Sequence, residues 1–441
     1  MCLSNKCSKA SFLLDTSFWN AYQFSKFMYS LLFVSVIFFV FAYKYRRNIL
    51  ALILFVFYGI GVLSGHILTT LPLYVRSGNS GYQDISWSAS LYLLFSFIIL
   101  FYPIYNIKEF KFSIVDNINI NHFVSISIIL ISFSVIFSIC VIPYMSMALN
   151  TLDFVGYKDD VMSNGGLDLS YGNSILEKIT KFQIIFRPYI TFMFYFSLAR
   201  IKNHRNLKIL LGMASIFPPV LHTLGAAHRN ILVFSLVDSI VCFLLFYKEY
   251  SKKIQRIFVI IFAIIGAFVG LIVVVFAILR FSDNGSDFVE YSLYRYLGEP
   301  FVDFNTMIWG TDYLLYGNKS FPFVRDFLGL PYIDPLDIRT ELSNTPYIIY
   351  YFYSIVGNFY MDFGPYITLC LIILIAFFFN YLIKKVYNRN TMSRMLLLFL
   401  FVTYTIRNYF YFEFMGGNNM LFIWVCFFFL FFTKYITYGN K

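Results

Sequence analysis

Blocks of about twenty apolar residues, separated by short polar connections, run along most of this 441-residue chain. A bilayer core about 30 Å thick takes roughly 20 helical residues at 1.5 Å rise each, so blocks of this length read as membrane-spanning helices. With 59% of residues hydrophobic and 13% charged, the chain lies outside the range of an ordinary soluble domain. The expected fold is an all-α polytopic integral membrane protein of about 11 transmembrane helices. The spans fall near 26–43, 48–68, 86–106, 122–142, 184–200, 207–224, 229–247, 256–280, 365–383, 395–412 and 419–437. Residues 1–25 mix Lys6, Lys9, Asp15, Trp19 and Gln23 with apolar residues, unlike a cleavable leader, so the first span is expected to do the targeting.

Basic residues set the orientation, because Lys and Arg in short loops stay on the cytoplasmic side. Lys44/Arg46/Arg47, Lys108/Lys111, Arg200/Lys202/Arg205/Lys208, Lys248/Lys252/Lys253/Arg256 and Lys384/Lys385/Arg389/Arg394 occupy alternate connections. The C-terminus is therefore expected inside. With an odd number of spans, the N-terminus and the loops at 69–85, 143–183, 281–364 and 408–418 face outward. All but four of the 23 carboxylates fall on that side, the exceptions being Glu109, Asp116, Asp238 and Glu249. The cytoplasmic share of the +11 net charge sits in short turns beside spans, where topology accounts for it, so no nucleic-acid partner is expected. Cys140, Cys242, Cys370 and Cys426 lie within spans, and Cys2 and Cys7 lack metal or redox spacing, which argues against a disulfide framework.

No linker or internal repeat divides the chain, so it reads as a single membrane domain over 1–441 carrying an inserted outward segment at 281–364, between spans eight and nine. That segment mixes Tyr291, Tyr294, Tyr296, Phe301, Phe304, Trp309, Phe321, Phe323 and Phe327 with charged residues. It is too long for a plain connection and too aromatic for a disordered one. Its rings suit either stacking on sugars or anchoring at the membrane interface. Gly61/Gly65 and Gly266/Gly270 are pairs of the GxxxG type inside spans, where small residues let helices approach closely.

Ionisable groups in or beside spans are costly and mark pathways or sites. Arg187 lies inside span five before Pro188, Arg229 opens span seven, Arg280 closes span eight, Arg295 stands in the long segment and Arg407 ends span ten. A guanidinium binds phosphate oxygens with two parallel hydrogen bonds and stays charged at any relevant pH, which suits these residues to a pyrophosphate; snorkelling to headgroups is the alternative. His228, beside Arg229, is placed to donate to the same group. Glu299 and Asp303, four residues apart, share a face if their segment is helical, one turn beyond Arg295. Either one, or Asp362, suits a general base acting on a sugar hydroxyl. His222 and His228 fit no metal-site spacing, no Asp-x-Asp pair or phosphate-cradling loop is present, and neither metal nor cofactor is expected. Asp238, within span seven, is expected to pair with a neighbouring helix or to be structural.

Three stretches resemble the bacterial O-antigen polymerase family. They are Gly225-Ala-Ala-His-Arg229-Asn-Ile-Leu, Tyr296-Leu-Gly-Glu-Pro300-Phe-Val-Asp-Phe-Asn305, and Asn344-Thr345 with the Tyr-rich run to Asp362-Phe-Gly364. Glu299 stands where the family segment has a second glycine. The resemblance implies a glycosyltransferase at the periplasmic face of the inner membrane, joining undecaprenyl-pyrophosphate-linked oligosaccharides without a nucleotide sugar, with a chain-length regulator as a protein partner. For such a reaction the residues expected to bind pyrophosphate are Arg187, His228, Arg229, Arg280, Arg295 and Arg407, and those expected to act in catalysis are Glu299, Asp303 or Asp362. A lipid-linked oligosaccharide flippase and an O-antigen ligase are the competing readings.

Overall fold

A computed structural model describes residues 29–71, 85–105, 118–150, 157, 174–226, 230–281, 286–310, 314–330, 353–388 and 392–410. Among these the chain is helical, with no strand. Five helices are long and apolar enough to cross a membrane: Ile49–Thr70, Trp87–Tyr105, Ile120–Ala148, Arg205–Gly225 and Ser354–Lys384. Tyr29–Lys44, Ile231–Leu245 and Met395–Arg407 are shorter apolar helices. Phe95, Ile139, Ile264, Leu374 and Phe377 point outward, each more than half exposed. In water such faces would drive aggregation; against lipid they are the ordinary state.

The described residues gather into two compact units, each assembled from separate stretches of chain. The sequence reads as one domain because the crossings fall at or within helices, where composition does not change. The first unit comprises residues 1–105, 281–376 and 408–412; the second comprises 106–280, 377–407 and 413–441.

In the first unit, α1 (Tyr29–Lys44), α2 (Ile49–Thr70) and α3 (Trp87–Tyr105) surround an aromatic core of Phe38, Phe55, Tyr58, Phe97 and Phe101. Asn48 starts α2 by accepting from the Ala51 N–H at 3.2 Å, and its amide also donates to the Ile104 carbonyl at 2.8 Å, fixing the start of α2 to the end of α3. The Ser30 and Ser90 hydroxyls meet at 3.0 Å between α1 and α3.

In the second unit, α4 (Ile120–Asn150), α5 (Ser174–Arg200), α6 (Arg205–Gly225) and α7 (Asn230–Leu245) pack against one another. There α8 (Lys252–Phe281) follows a short connection whose Glu249 pairs with Arg200 at 3.2 Å. Serines within α4 donate to carbonyls one turn back, Ser127 to Phe123 and Ser134 to Leu130, so these apolar helices carry hydroxyls without orphaned donors.

The segment between α8 and the next long helix is not a plain loop. It opens with α9 (Ser286–Asp303), which lies along α2 and runs into a single π-helical turn over Phe304–Ile308, then a short helix α10 (Pro322–Phe327). The helix that follows, α11 (Ser354–Asn388), begins eleven residues before the expected span at 365 and is bent at Gly364, whose φ of 73° is open to glycine; Pro365 excludes the helical conformation from the residue before it. The last described helix, α12 (Met392–Arg407), stops short of the expected 412 because the chain turns there: Asn408 and Phe410 carbonyls accept from the first N–H groups of α11, those of Ile355 and Ser354. The expected span at 419–437 lies outside the described residues.

Of the two glycine pairs, Gly61 and Gly65 are used for packing. A side chain on Gly61 would overlap the Tyr409 hydroxyl, and one on Gly65 would meet the Gly298 carbonyl at 3.1 Å. Among the described residues nothing lies within 4 Å of a side chain added at Gly266 or Gly270.

Candidate functional site

The first unit holds a cluster of charge on one face of α9. Arg295 reaches Glu299 at 3.3 Å, one turn along, and Asp303 follows one turn later with a side-chain hydrogen bond to Glu299. The cluster is graded in exposure: the Arg295 side chain is 38% exposed, while Glu299 and Asp303 are 5% and 3% exposed. Burial raises the pKa of Glu299 above the usual carboxylate range, with Arg295 working against the shift. Asp303 is raised well above its usual value, by burial first and then by the charge of Glu299. Burial thus favours the protonated form of both carboxyls, and the single guanidinium opposes it. One Asp303 oxygen and the Asn305 amide oxygen, just beyond it, have no hydrogen-bond partner among the described residues.

Local sequence explains this placement. Gly298 gives α9 its close approach to α2, Phe301 enters the aromatic core against Phe38 and Phe97, and Tyr409 donates to the Leu297 carbonyl. With those residues committed to packing, the 295/299/303 stripe takes the neighbouring face. Pro300, which lacks an N–H, and the π turn at 304–308 loosen the helix beside the carboxyls, a feature frequent at functional sites.

Asp362 is engaged elsewhere in the same unit. Its two oxygens accept from the backbone N–H groups of Lys319 at 3.1 Å and Ser320 at 2.6 Å, and the Met361 and Asp362 carbonyls accept from Leu315 and Tyr316. The carboxylate thus pins a turn in which Tyr316 and Gly317 both take positive φ. With both oxygens held by backbone, Asp362 is better placed to shape this turn than to take a substrate proton.

This turn presents a residue that the sequence reading did not single out. The Lys319 amine sits 3.4 Å from the Met361 sulfur and 4.9 Å over the Tyr353 ring. Enclosure lowers its pKa to about 8 even though Asp362 pulls it upward. Lys319 is the sole lysine between 281 and 364, which was the available sequence signal.

In the second unit, two of the predicted arginines act on one carboxylate, Asp238. Arg407, 1% exposed, is ion-paired with the fully buried Asp238 of α7 and lies over the rings of Phe234 and Tyr404. Arg187, buried on α5, is close enough for its charge to act on Asp238. His222 packs edge-on against Phe137 at 5.4 Å. The Gly225 carbonyl that ends α6 accepts from the Tyr157 hydroxyl at 2.8 Å. His228 and Arg229 lie outside the described residues, as does the side chain of Arg280.

Comparison with protein-family models, with curated proteins and with solved structures finds no match to this chain. The functional reading therefore stands on the residues themselves.

Proposed function

We propose that the chain is an inner-membrane glycosyltransferase of the O-antigen polymerase type, with eleven spans and a periplasmic segment between spans eight and nine. It lengthens undecaprenyl-pyrophosphate-linked glycans by attack of an acceptor sugar hydroxyl on a lipid-linked donor. The resemblance of the three stretches motivates this reading, and the observation that carries it is the Arg295–Glu299–Asp303 cluster. A carboxyl pair closed off from solvent, whose burial raises its affinity for a proton, is suited to removing a hydroxyl proton as the glycosidic bond forms. The reading assigns Arg187, His228, Arg229, Arg280, Arg295 and Arg407 to binding the pyrophosphates of the lipid-linked substrates, whose negative charge they would neutralise.

The test is a lipopolysaccharide gel from a strain lacking the protein, complemented with wild type, Arg229→Ala or Glu299→Gln, each checked for membrane insertion. Polymerase chemistry predicts a core carrying a single repeat unit in the deletion strain and in both variants, and a ladder with wild type alone. A ladder from the inserted variants removes the proposal.

One observation favours a second reading. A flippase for the same lipid-linked substrate keeps its cationic residues at mid-span, and Arg187 lies buried within its helix. On the same gel a flippase, like a ligase, leaves the core without any repeat unit.

A further inference from the structure

Gln183 and Arg187 stand one turn apart on α5, in the same unit as Asp238 on α7 and Arg407 at the end of α12. All four are more than nine-tenths buried, and Gln183 is 1% exposed. Neither the amide nitrogen nor the amide oxygen of Gln183 has a hydrogen-bond partner among the described residues. An amide left unsatisfied at such depth is destabilising, because it has given up its bonds to water and gained none. The next turn adds to the polarity: Pro188 brings no N–H, so the Ile184 carbonyl loses its intrahelical donor. For packing alone, leucine would serve better at 183.

What these groups have in common is the chemistry they recognise. Two guanidinium groups and an amide N–H donate; Asp238 is already paired with Arg407 and holds that guanidinium in place. Donors arriving from separate helices suit a tetrahedral oxyanion, and the amide oxygen suits a hydroxyl or water on the same group. We propose that Gln183 is a ligand-binding residue, its amide nitrogen donating to a phosphate-type oxyanion held by Arg187 and Arg407, with Asp238 as the residue that positions Arg407. This rests on the assignment of the two arginines to phosphate made above, and adds to it an uncharged donor that makes the site specific.

The experiment uses the full chain in detergent micelles, with inorganic pyrophosphate and a polyprenyl pyrophosphate as probes, and reads affinity together with the melting temperature of the ligand-free protein. Wild type is expected to bind, and Gln183→Leu to bind about tenfold more weakly or worse, in line with the loss of one hydrogen bond to a charged group. Without ligand, Gln183→Leu should melt at or above wild type, since an orphaned amide has been replaced by an apolar side chain. Binding of the lipid probe alone marks a lipid-borne phosphate, and binding of both marks a site that reads the pyrophosphate itself; each supports the inference. Unchanged affinity in Gln183→Leu overturns the role of Gln183 and leaves the arginines in place. A ligand-free melting temperature below wild type, with unchanged affinity in Gln183→Glu, makes the amide structural and likewise overturns it. No binding of either probe by wild type removes the arginine assignment as well. Should Gln183→Leu fail to fold, Gln183→Glu decides, because a carboxylate set against the oxyanion must abolish binding.

Discussion

Gly65 and Gly298 meet backbone to backbone where α2 lies along α9, with no side chain between them. A methyl group on Gly298 would overlap the backbone of Gly65 and Ser64, atoms that do not move independently of their helix. Gly298→Ala is therefore expected to destabilise the protein by about 1–3 kcal/mol or more, the usual cost of overpacking. Gly270→Ala, with nothing within 4 Å of the new methyl, should be neutral or mildly stabilising. Thermal unfolding in detergent compares the two, and equal melting temperatures would show that the close approach is absent.

The carboxyl pair on α9 sets a pH dependence. Folded Glu299 and Asp303 are raised above their ordinary values of 4.5 and 3.8, so the folded protein holds more protons than the unfolded chain above that range. Their favourable contribution is complete below pH about 4 and declines as pH rises through the folded values. Stability measured from pH 4 upward should fall, and Asp303→Asn should flatten the fall. An unaltered slope in Asp303→Asn rules out proton retention by the pair.

Lys319 acts with the opposite sign. Its folded pKa of about 8 lies below the ordinary 10.5, so the cost of enclosing its charge is fully felt below pH 8 and is relieved as pH rises from 8 towards 10.5. Lys319→Met should raise stability at pH 7 and remove the gain between pH 8 and 10. A lysine titrating near 10.5 by NMR of the labelled amine would contradict this.

Asp362 and Glu299 should separate when each loses its charge or its side chain. Asp362→Ala strands two N–H groups, those of Lys319 and Ser320, at a cost of about 1–3 kcal/mol for each buried orphan, and should lower the yield of folded protein. Glu299→Gln keeps the shape of its side chain and should leave yield intact while chain growth falls by about 100-fold, the scale of a lost general base. Folded protein in detergent and glycan length on gels measure the two effects; full activity in Glu299→Gln would overturn the proposed function.

Asp238 and Arg407 form a pair in which neither partner tolerates the loss of the other. Asp238→Ala leaves a guanidinium enclosed without that counter-charge and should cost about 3–5 kcal/mol, whereas Asp238→Leu combined with Arg407→Met should recover most of that stability. A double variant as unstable as the single one would show that the pair is not the relevant coupling.

Much of the architecture was legible in the sequence because a bilayer imposes a local rule. Backbone polar groups must be satisfied within each segment, so length and apolarity alone announce a helix; the described residues are helical, and five of their helices are long and apolar enough to cross a membrane. The i,i+4 spacing likewise placed Arg295, Glu299 and Asp303 on one face once α9 proved helical. Local rules give no partner at long range. That Arg407 pairs with Asp238, 169 residues away, and that Tyr409 reaches the Leu297 carbonyl, 112 residues away, depends on which helices pack together. The same holds for Asp362, whose residue type suits a base but whose oxygens the fold assigns to the turn at 319–320. Sequence by itself determined the helices and the stock of charged groups. Tertiary structure decided which of those groups are buried and what each one faces, because burial and pairing arise between segments and leave no trace in the spacing within one.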